Sequence, residues 1–275
     1  MASENSVATL AVRDMYESAE VKAGEIISQG FLHYGYFDAT NPNATLAEGS
    51  ERFTRILMGR TSIGKGQRFC DIGCGVGLPA IMLAADRGCY VDGVTISSHQ
   101  QRQATERAKA AGVSRHVRFL VADALRLPFR SGIYDGGWFF ESIFHMGHAR
   151  ALSEAHRVLK PSSTLLIADL VLSDTATSDF GVFAREVVHS NYISKADYSR
   201  VLSDAGFELL ELTDVTEEVS IPFPAKFRDA FEAHRAEVSS YVDEASFLHW
   251  LTLHEELSRN LGYVIVAARR LPRNS

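Results

Sequence analysis

Apolar side chains recur every three to four residues in some stretches of the chain and run unbroken in others, and the two patterns alternate. Residues 10 to 29 carry Leu10, Met15, Ala19, Ala23, Ile26 and Ile27 at helical spacing, because positions three and four apart share a helix face. Gly30 to Asp38 then gathers aromatics around two glycines, which suits a turn. Leu46 to Arg60 predicts another amphipathic helix ahead of the first strand. The alternation becomes regular from there. It runs through strand Phe69–Asp71, helix Pro79–Asp86, strand Tyr90–Ile96, helix Gln100–Ala111 and strand Val117–Ala122. A turn at Leu127-Pro128-Phe129 leads to strand Gly136–Phe140, helix Ala149–Leu159 and strand Thr164–Leu170. Gly112 and Lys160-Pro161 close two of the helices. Strands and helices alternating at this length predict an α/β fold, a parallel sheet with helices on both faces.

Two later stretches interrupt the pattern. Ser173–Ser190 reads as helical with mixed character and precedes helix Lys195–Ala205, for which Ser194 is the N-cap. Strand Phe207–Thr213 follows Gly206. Residues 222 to 259 form a helix-rich insertion with Phe223, Phe227, Phe231, Tyr241, Phe247, Trp250 and Leu257 at broadly helical intervals, before strand Gly262–Ala268. Most of those aromatics are expected to form the insertion's own core.

Composition restricts the function more than the fold. At 275 residues the chain suffices for one large domain or a core with a sizeable appendage. It is 46% hydrophobic and 23% charged, as soluble globular proteins are. No apolar run reaches about 18 residues, so no membrane span is expected. Met1 to Ser6 lacks a basic region followed by an apolar one, so no secretory leader is expected. A net charge of −6 argues against nucleic-acid partners, which demand a basic footprint. Cys70, Cys74 and Cys89 lack the spacing of metal ligands or disulfides and read as small buried thiols of a reducing cytoplasm. A cytoplasmic location is therefore expected.

The stretch with the strongest chemical signal is 67 to 84, a short strand, a glycine-rich turn and a helix start. Glycines at 73, 75 and 77 remove the side chains that would hold a ligand off the turn. Pro79 falls in the first helical turn, where no amide partner is needed. Such a turn is either a tight strand-to-helix connection or a crevice for a nucleotide-like ligand at a strand's carboxyl end. It is not a phosphate loop, since Gly-Lys-Ser/Thr is missing. Nor is it the dinucleotide fingerprint, because the third glycine comes too early.

Asp71-Ile72-Gly73-Cys74-Gly75-Val76-Gly77 resembles the first motif of the class I S-adenosylmethionine-dependent methyltransferases. Two further strings are similar to those of sugar- and macrolide-tailoring small-molecule methyltransferases. Leu32-His33-Tyr34-Gly35-Tyr36 resembles their Leu-His-x-Gly-Tyr, and Glu141-Ser142-Ile143-Phe144-His145-Met146 resembles their Glu-Ser-x-His-His-Met. The resemblance implies a Rossmann-like, seven-stranded, mostly parallel sheet closed by an antiparallel hairpin. It also implies a helical lid at 1–60, a cofactor-binding core at 61–172, and a completion at 173–275 whose stretches at about 173–192 and 222–259 cap the acceptor, all effectively one domain. S-adenosyl-L-methionine is the implied cofactor, S-adenosyl-L-homocysteine its product, and a small molecule the acceptor. An N-terminal helix of this kind could also be exchanged between subunits of a homo-oligomer.

Site residues follow from the same resemblance. Asp71 and the backbone of Gly73, Gly75 and Gly77 would hold the methionine part of the cofactor. Asp123 and the Ala124 amide would clamp the adenine, although a strand-end aspartate also serves as a turn former. Tyr16 and His33 would close the lid over the cofactor; the plainer alternative is an amphipathic helix and an aromatic plug. One position departs from the family. About 20 residues past the first turn an acid usually chelates the ribose, and here Thr95 stands in its place, with Asp92 on the opposite face of the strand. Thr95 and Gln100 can still make neutral hydrogen bonds, at a loss of about 1 to 2 kcal/mol if nothing replaces the charge.

The acceptor chemistry is expected just after the fourth strand. His145 would act as general base on a hydroxyl, with Glu141 beside it and Asp169 supporting it, and no metal is expected. Phe144 replaces the family's first histidine. This leaves open C-methylation of an electron-rich ring or alkene in a pocket walled by Trp138, Phe139, Phe140 and Phe144, where aromatic faces stabilise positive charge. It also leaves open a cyclase that keeps the cofactor as a structural ligand. Phe140, Phe144 and Trp250 are the candidate acceptor-pocket residues. Methylation adds about 14 mass units in the cofactor's group-transfer chemistry, whereas cyclisation is isomeric.

Overall fold

A computed structural model describes residues 4–272; residues 1–3, at the terminus read above for a leader, lie outside them. The N-terminal helical stretch divides in two, α1 (Glu4–Tyr16) and α2 (Ala19–Ile27), where one helix over 10–29 was expected. The break has a local cause, since the Ser18 side chain accepts from the Val21 amide and starts a new helix. α3 (Leu46–Gly59) begins in a capping box, Thr45 and Glu48 satisfying each other's amides.

The core then alternates as its pattern predicts. β1 (Arg68–Ile72), α4 (Leu78–Arg87), β2 (Tyr90–Thr95), α5 (Ser98–Ala110), β3 (Val117–Val121), β4 (Tyr134–Phe140), α6 (His148–Val158) and β5 (Leu159–Leu172) follow in order. β5 is longer than expected. It begins directly at Leu159 and carries Pro161 in its irregular first residues, so the proline marks a strand end, not the helix stop. α7 (Ser178–Val187) fills only the middle of the expected 173–190 stretch. The expected helix at Lys195 opens with one 3-10 turn before α8 (Tyr198–Asp204). β6 (Phe207–Asp214), the single turn α9 (Thr216–Val219), α10 (Phe223–Val238), α11 (Glu244–Asn260) and β7 (Leu261–Arg270) complete the chain. None of these helices is long and apolar enough to cross a membrane.

The seven strands form one sheet in the order β3-β2-β1-β4-β5-β7-β6. All pairings are parallel except those of β7, which runs antiparallel to β5 and β6. Strand residues alternate between two cores because successive side chains point to opposite faces. Phe69, Trp138 and Phe140 pack with α3, α4 and α5 on one face. Cys70, Ile72 and Phe139 pack with α6 and α8 on the other. Asp92 belongs to this framework: its carboxylate accepts from Arg68, Arg118 and the Tyr134 hydroxyl at 2.8–2.9 Å.

The lid and the late helices join into one layer. α10 and α11 pack on α2, and a side chain at Gly24 would lie 2.7 Å from the Trp250 ring. That glycine, unfavourable inside a helix by about 1 kcal/mol, is what lets Trp250 seat against α2. Phe223 stacks on Tyr34 with ring centroids 3.6 Å apart, which ties the cap to the aromatic turn after α2.

Candidate active site

Parallel strands end together, so the residues that follow them converge on one edge of the sheet. Register sets Asp71 of β1 beside Gly93 of β2 and Trp138 of β4. The turn after β1 folds sharply: Gly73 and Gly77 take φ of 90° and 81°, and the Gly73 and Cys74 amides both bond the Val94 carbonyl at 2.9 Å. A side chain would not fit there. A Cβ at Gly73 would lie 2.4 Å from Ser142, and one at Gly77 2.5 Å from Phe119. The glycines therefore bring the turn against its neighbours as well as baring its backbone.

The turn opens onto a cleft. Asp71, Gly73, Gly75 and Gly77 line it from β1, Thr95 and Gln100 from the end of β2 and the start of α5, and Asp123 and Ala124 from the end of β3. Phe140 lines it from β4, Glu141 and His145 from the turn beyond, Tyr16 from α1 and His33 from the turn after α2. Trp250 does not reach this cleft; it lies edge-on to Phe227 at 5.0 Å inside the cap. Phe144 is also turned away, buried with its ring 4.4 Å from His145 and 5.2 Å from Tyr192. Both expectations fail for the same reason: a helical or strand-end aromatic that can bury itself in a core does so.

The polar groups of the cleft have unmet demands. Neither Asp71 oxygen has a hydrogen-bond partner among the described residues. Burial pushes that carboxyl up to about 7, opposed in part by the nearby Trp138 indole N–H, which lies outside hydrogen-bond geometry and is itself unpaired. Thr95 donates to Gln100 Oε1 at 2.8 Å, which leaves Gln100 Nε2 buried and unpaired. Asp123 accepts from the Leu125 amide with one oxygen, as an N-cap does. An unpaired carboxyl suits an ammonium group, and an unpaired amide N–H suits a hydroxyl, since buried polar atoms are normally satisfied. The residues present fit an aminoacyl nucleoside such as S-adenosylmethionine.

At the other end of the cleft stand two titratable groups of opposite tendency. His145 accepts or donates through Nδ1 only to the His189 carbonyl (3.1 Å) and the Ser190 hydroxyl (3.3 Å). A carbonyl can only accept, so Nδ1 carries the proton and Nε2 is the free acceptor. Burial pushes the ring down to about 4, which keeps it neutral. Tyr16 meets it edge-on at 5.5 Å. His33 is different: its Nδ1 bonds the Tyr34 carbonyl, its Nε2 bonds the Thr54 hydroxyl, and its ring stacks on Phe140 at 3.9 Å. With both nitrogens engaged it shapes the wall and moves no proton.

Glu141 sits at φ 48°. Its Oε1 accepts from the Tyr34 amide (2.8 Å) and the Tyr263 hydroxyl (2.7 Å). Burial pushes its carboxyl up to about 8 against those two bonds, with Asp169 adding to the rise. Asp169 does not support His145, contrary to expectation. It lies fully buried outside the cleft, paired with His148 Nε2 at 3.0 Å and accepting from the Tyr198 hydroxyl. The histidine that Asp169 orients starts α6, three residues beyond His145, and the sequence gives no sign of which of the two it would choose.

Several lining or supporting groups were not legible from sequence. Tyr34 and Tyr263 hold Glu141, the Ser142 hydroxyl bonds the Ile72 carbonyl at 2.6 Å, and Val12, Leu32 and Met146 line the cleft. Leu32, Tyr34, Ser142 and Met146 carried a signal only as members of the two family-like strings, and Val12 and Tyr263 carried none. The link from Ser97, just past β2, to Glu17 of the lid (3.2 Å) has none.

Comparison with known proteins agrees with this geometry. A family described as "Methyltransferase domain" matches residues 70–167. Methyltransferase GfsG of Streptomyces halstedii is 35% identical over 224 residues, 78% of each chain. The 27-O-demethylrifamycin SV methyltransferase of Amycolatopsis mediterranei (strain S699) is 34% identical over 246 residues, 87% of this chain and 89% of that one. Among solved structures, the [4+2]-cyclase SpnF superposes with a TM-score of 0.82 at 27% identity, covering 94% of this chain and 95% of its own.

Proposed function

The chain belongs to the class I S-adenosylmethionine-dependent methyltransferases, and from that premise we propose that it methylates a hydroxyl of a small, largely apolar natural product, with His145 as general base. The observation that carries this reading is the state of His145: neutral, fixed by a proton on Nδ1, with Nε2 free on the wall of the cofactor cleft. A base in that tautomer can take the proton from an acceptor hydroxyl as it attacks.

When bound, the cofactor supplies an activated methyl group on a sulfonium. The chain's own part is mostly positioning. Asp71 takes the cofactor's ammonium and the backbone from Gly73 to Gly77 follows its methionine part. Gln100, with Thr95 behind it, meets the ribose. Asp123 and the Ala124 amide meet the adenine. Tyr16 and His33 exclude water from above, and Phe140 gives the acceptor an apolar wall.

Production of a methylated compound from a panel of hydroxylated macrolides and glycosides, read as a gain of about 14 mass units, is the test. His145→Ala is expected to cut turnover by about 10²- to 10⁴-fold with cofactor affinity unchanged. Turnover that survives the substitution would remove His145 from the chemistry. A second reading, an isomerising cyclase that retains the cofactor, is favoured by the likeness to the [4+2]-cyclase. Its signature is consumption of an acceptor with no change in mass.

A further inference from the structure

The cleft carries one acid more than the cofactor's ammonium and adenine would employ. Among the described residues no lysine or arginine lines it, and its formal charges are Asp71, Asp123 and Glu141. Asp71 and Asp123 flank the glycine turn and the adenine end. Glu141 follows β4, the neighbour of β1 in the sheet, and lines the cleft with His145 from the same turn.

Its two oxygens are treated differently. Oε1 is capped by the Tyr34 amide and the Tyr263 hydroxyl. Oε2 has no hydrogen bond among the described residues and is not sealed from the cleft. The groups whose charge bears on this carboxyl are phenols and an acid, Tyr16 from α1, Tyr34 from the turn, Asp169 from β5, Tyr192 ahead of α8 and Tyr263 from β7, while burial keeps His33 and His145 on the same cleft neutral. Nothing among them neutralises a negative charge. A residue at positive φ in this position is strained by about 1–3 kcal/mol and persists where its surroundings hold it, here the two donors on Oε1.

We propose that Glu141 is the charge partner of the sulfonium, a carboxylic acid in the free and product-bound sites and a carboxylate only while the positively charged cofactor is present. S-adenosylmethionine carries a sulfonium cation and S-adenosylhomocysteine a neutral thioether; both carry the same ammonium. A nearby positive charge favours the ionised carboxyl, and its removal restores the acid. The rise of this carboxyl to about 8 in the free protein agrees with a group that waits in its acid form. The inference rests on reading the cleft as the cofactor site.

Calorimetric titration of the full chain with each compound tests it, at pH 6.5 in two buffers of different ionisation enthalpy, reading protons released per ligand bound. At this pH both ligands' α-amino groups, which titrate at about 7.7–8.0, are charged. Any proton lost from Asp71 is then common to both. The wild type is expected to release about one proton more with S-adenosylmethionine than with S-adenosylhomocysteine, and Glu141→Gln to bind both with no difference. Equal release from the wild type overturns the proposal, as does a difference that survives Glu141→Gln. Should that variant not fold, the wild type alone decides. Between pH 6 and 7 its preference for S-adenosylmethionine should climb toward tenfold per pH unit, and a flat ratio overturns the proposal. If neither ligand binds, the cofactor reading of the cleft falls, and this inference with it.

Discussion

Asp71→Asn should do two opposite things, and their conjunction is what tests the site. In the free protein the Asp71 carboxyl is buried without a partner and titrates at about 7 in place of its ordinary 3.8. The sign follows directly. The unfolded chain gives up this proton near 3.8 and the folded chain near 7, so the folded state binds more protons between those values and stability falls as pH rises. At about 1.4 kcal/mol per pKa unit the cost approaches 4 kcal/mol above pH 7, of which about 2 kcal/mol develops between pH 5.5 and 8. An asparagine has no such dependence. Whatever its amide costs in that buried place, it costs equally at both pH values. Denaturant unfolding of the free protein at pH 5.5 and 8 should therefore show the wild type losing about 2 kcal/mol more than Asp71→Asn. Addition of S-adenosylmethionine at 100 times its Kd should stabilise the wild type by about 2.7 kcal/mol and the variant far less. Parallel pH dependences for the two proteins would refute the assignment of an unpaired, perturbed carboxyl. Equal stabilisation by the cofactor would refute its role toward the ammonium.

Two further substitutions separate frame from site. Gly77→Ala puts a Cβ 2.5 Å from the Phe119 ring at a φ of 81°; left-handed strain of about 1–2 kcal/mol and overpacking of about 1–3 kcal/mol should add, lowering the unfolding midpoint together with cofactor affinity, and an unchanged midpoint would mean the turn can move. Tyr198→Phe removes one of two partners of the buried Asp169 and should cost about 1–3 kcal/mol of stability while leaving cofactor affinity within about twofold, since 1.4 kcal/mol would be needed for tenfold; a larger loss of affinity than of stability would put Asp169 back among the site residues.

What the sequence made legible follows a physical divide. The sheet was readable because buried parallel strands are short apolar runs, and α3 because its apolar residues recur at helical spacing from Leu46. The glycine turn was readable because its conformations exclude other residues. Less visible were features decided across the chain. The partner of Asp169 depends on which of two nearby histidines, 145 or 148, turns inward, and Tyr263 reaches Glu141 across 122 residues. Trp250 is as apolar as a pocket residue, and only the missing side chain at Gly24 says where it packs. Asp92 reads as an acid at the wrong place on the ribose strand; three donors from β1, β3 and β4 explain it as an anchor of the sheet.

The replacement of a histidine by Phe144 then takes on a specific meaning. In this position the side chain packs under His145 and against Tyr192, so the ring beside His145 is apolar and supplies no second proton site. His145 is oriented by a backbone carbonyl instead of a carboxylate, from His189 held at φ 50°. A neutral carbonyl fixes the tautomer but does little to stabilise an imidazolium, whereas a paired carboxylate favours the charged ring. Burial without that compensation is what leaves His145 near 4. Among the described residues, the carboxyl that lines the cleft from the same turn as His145 is Glu141, whose tendency runs the other way, to about 8. Two groups whose environments drive their affinities for a proton apart divide the work between them. On the reading proposed above, His145 would fix where the acceptor proton departs, and Glu141 would answer for the sign of the charge around it.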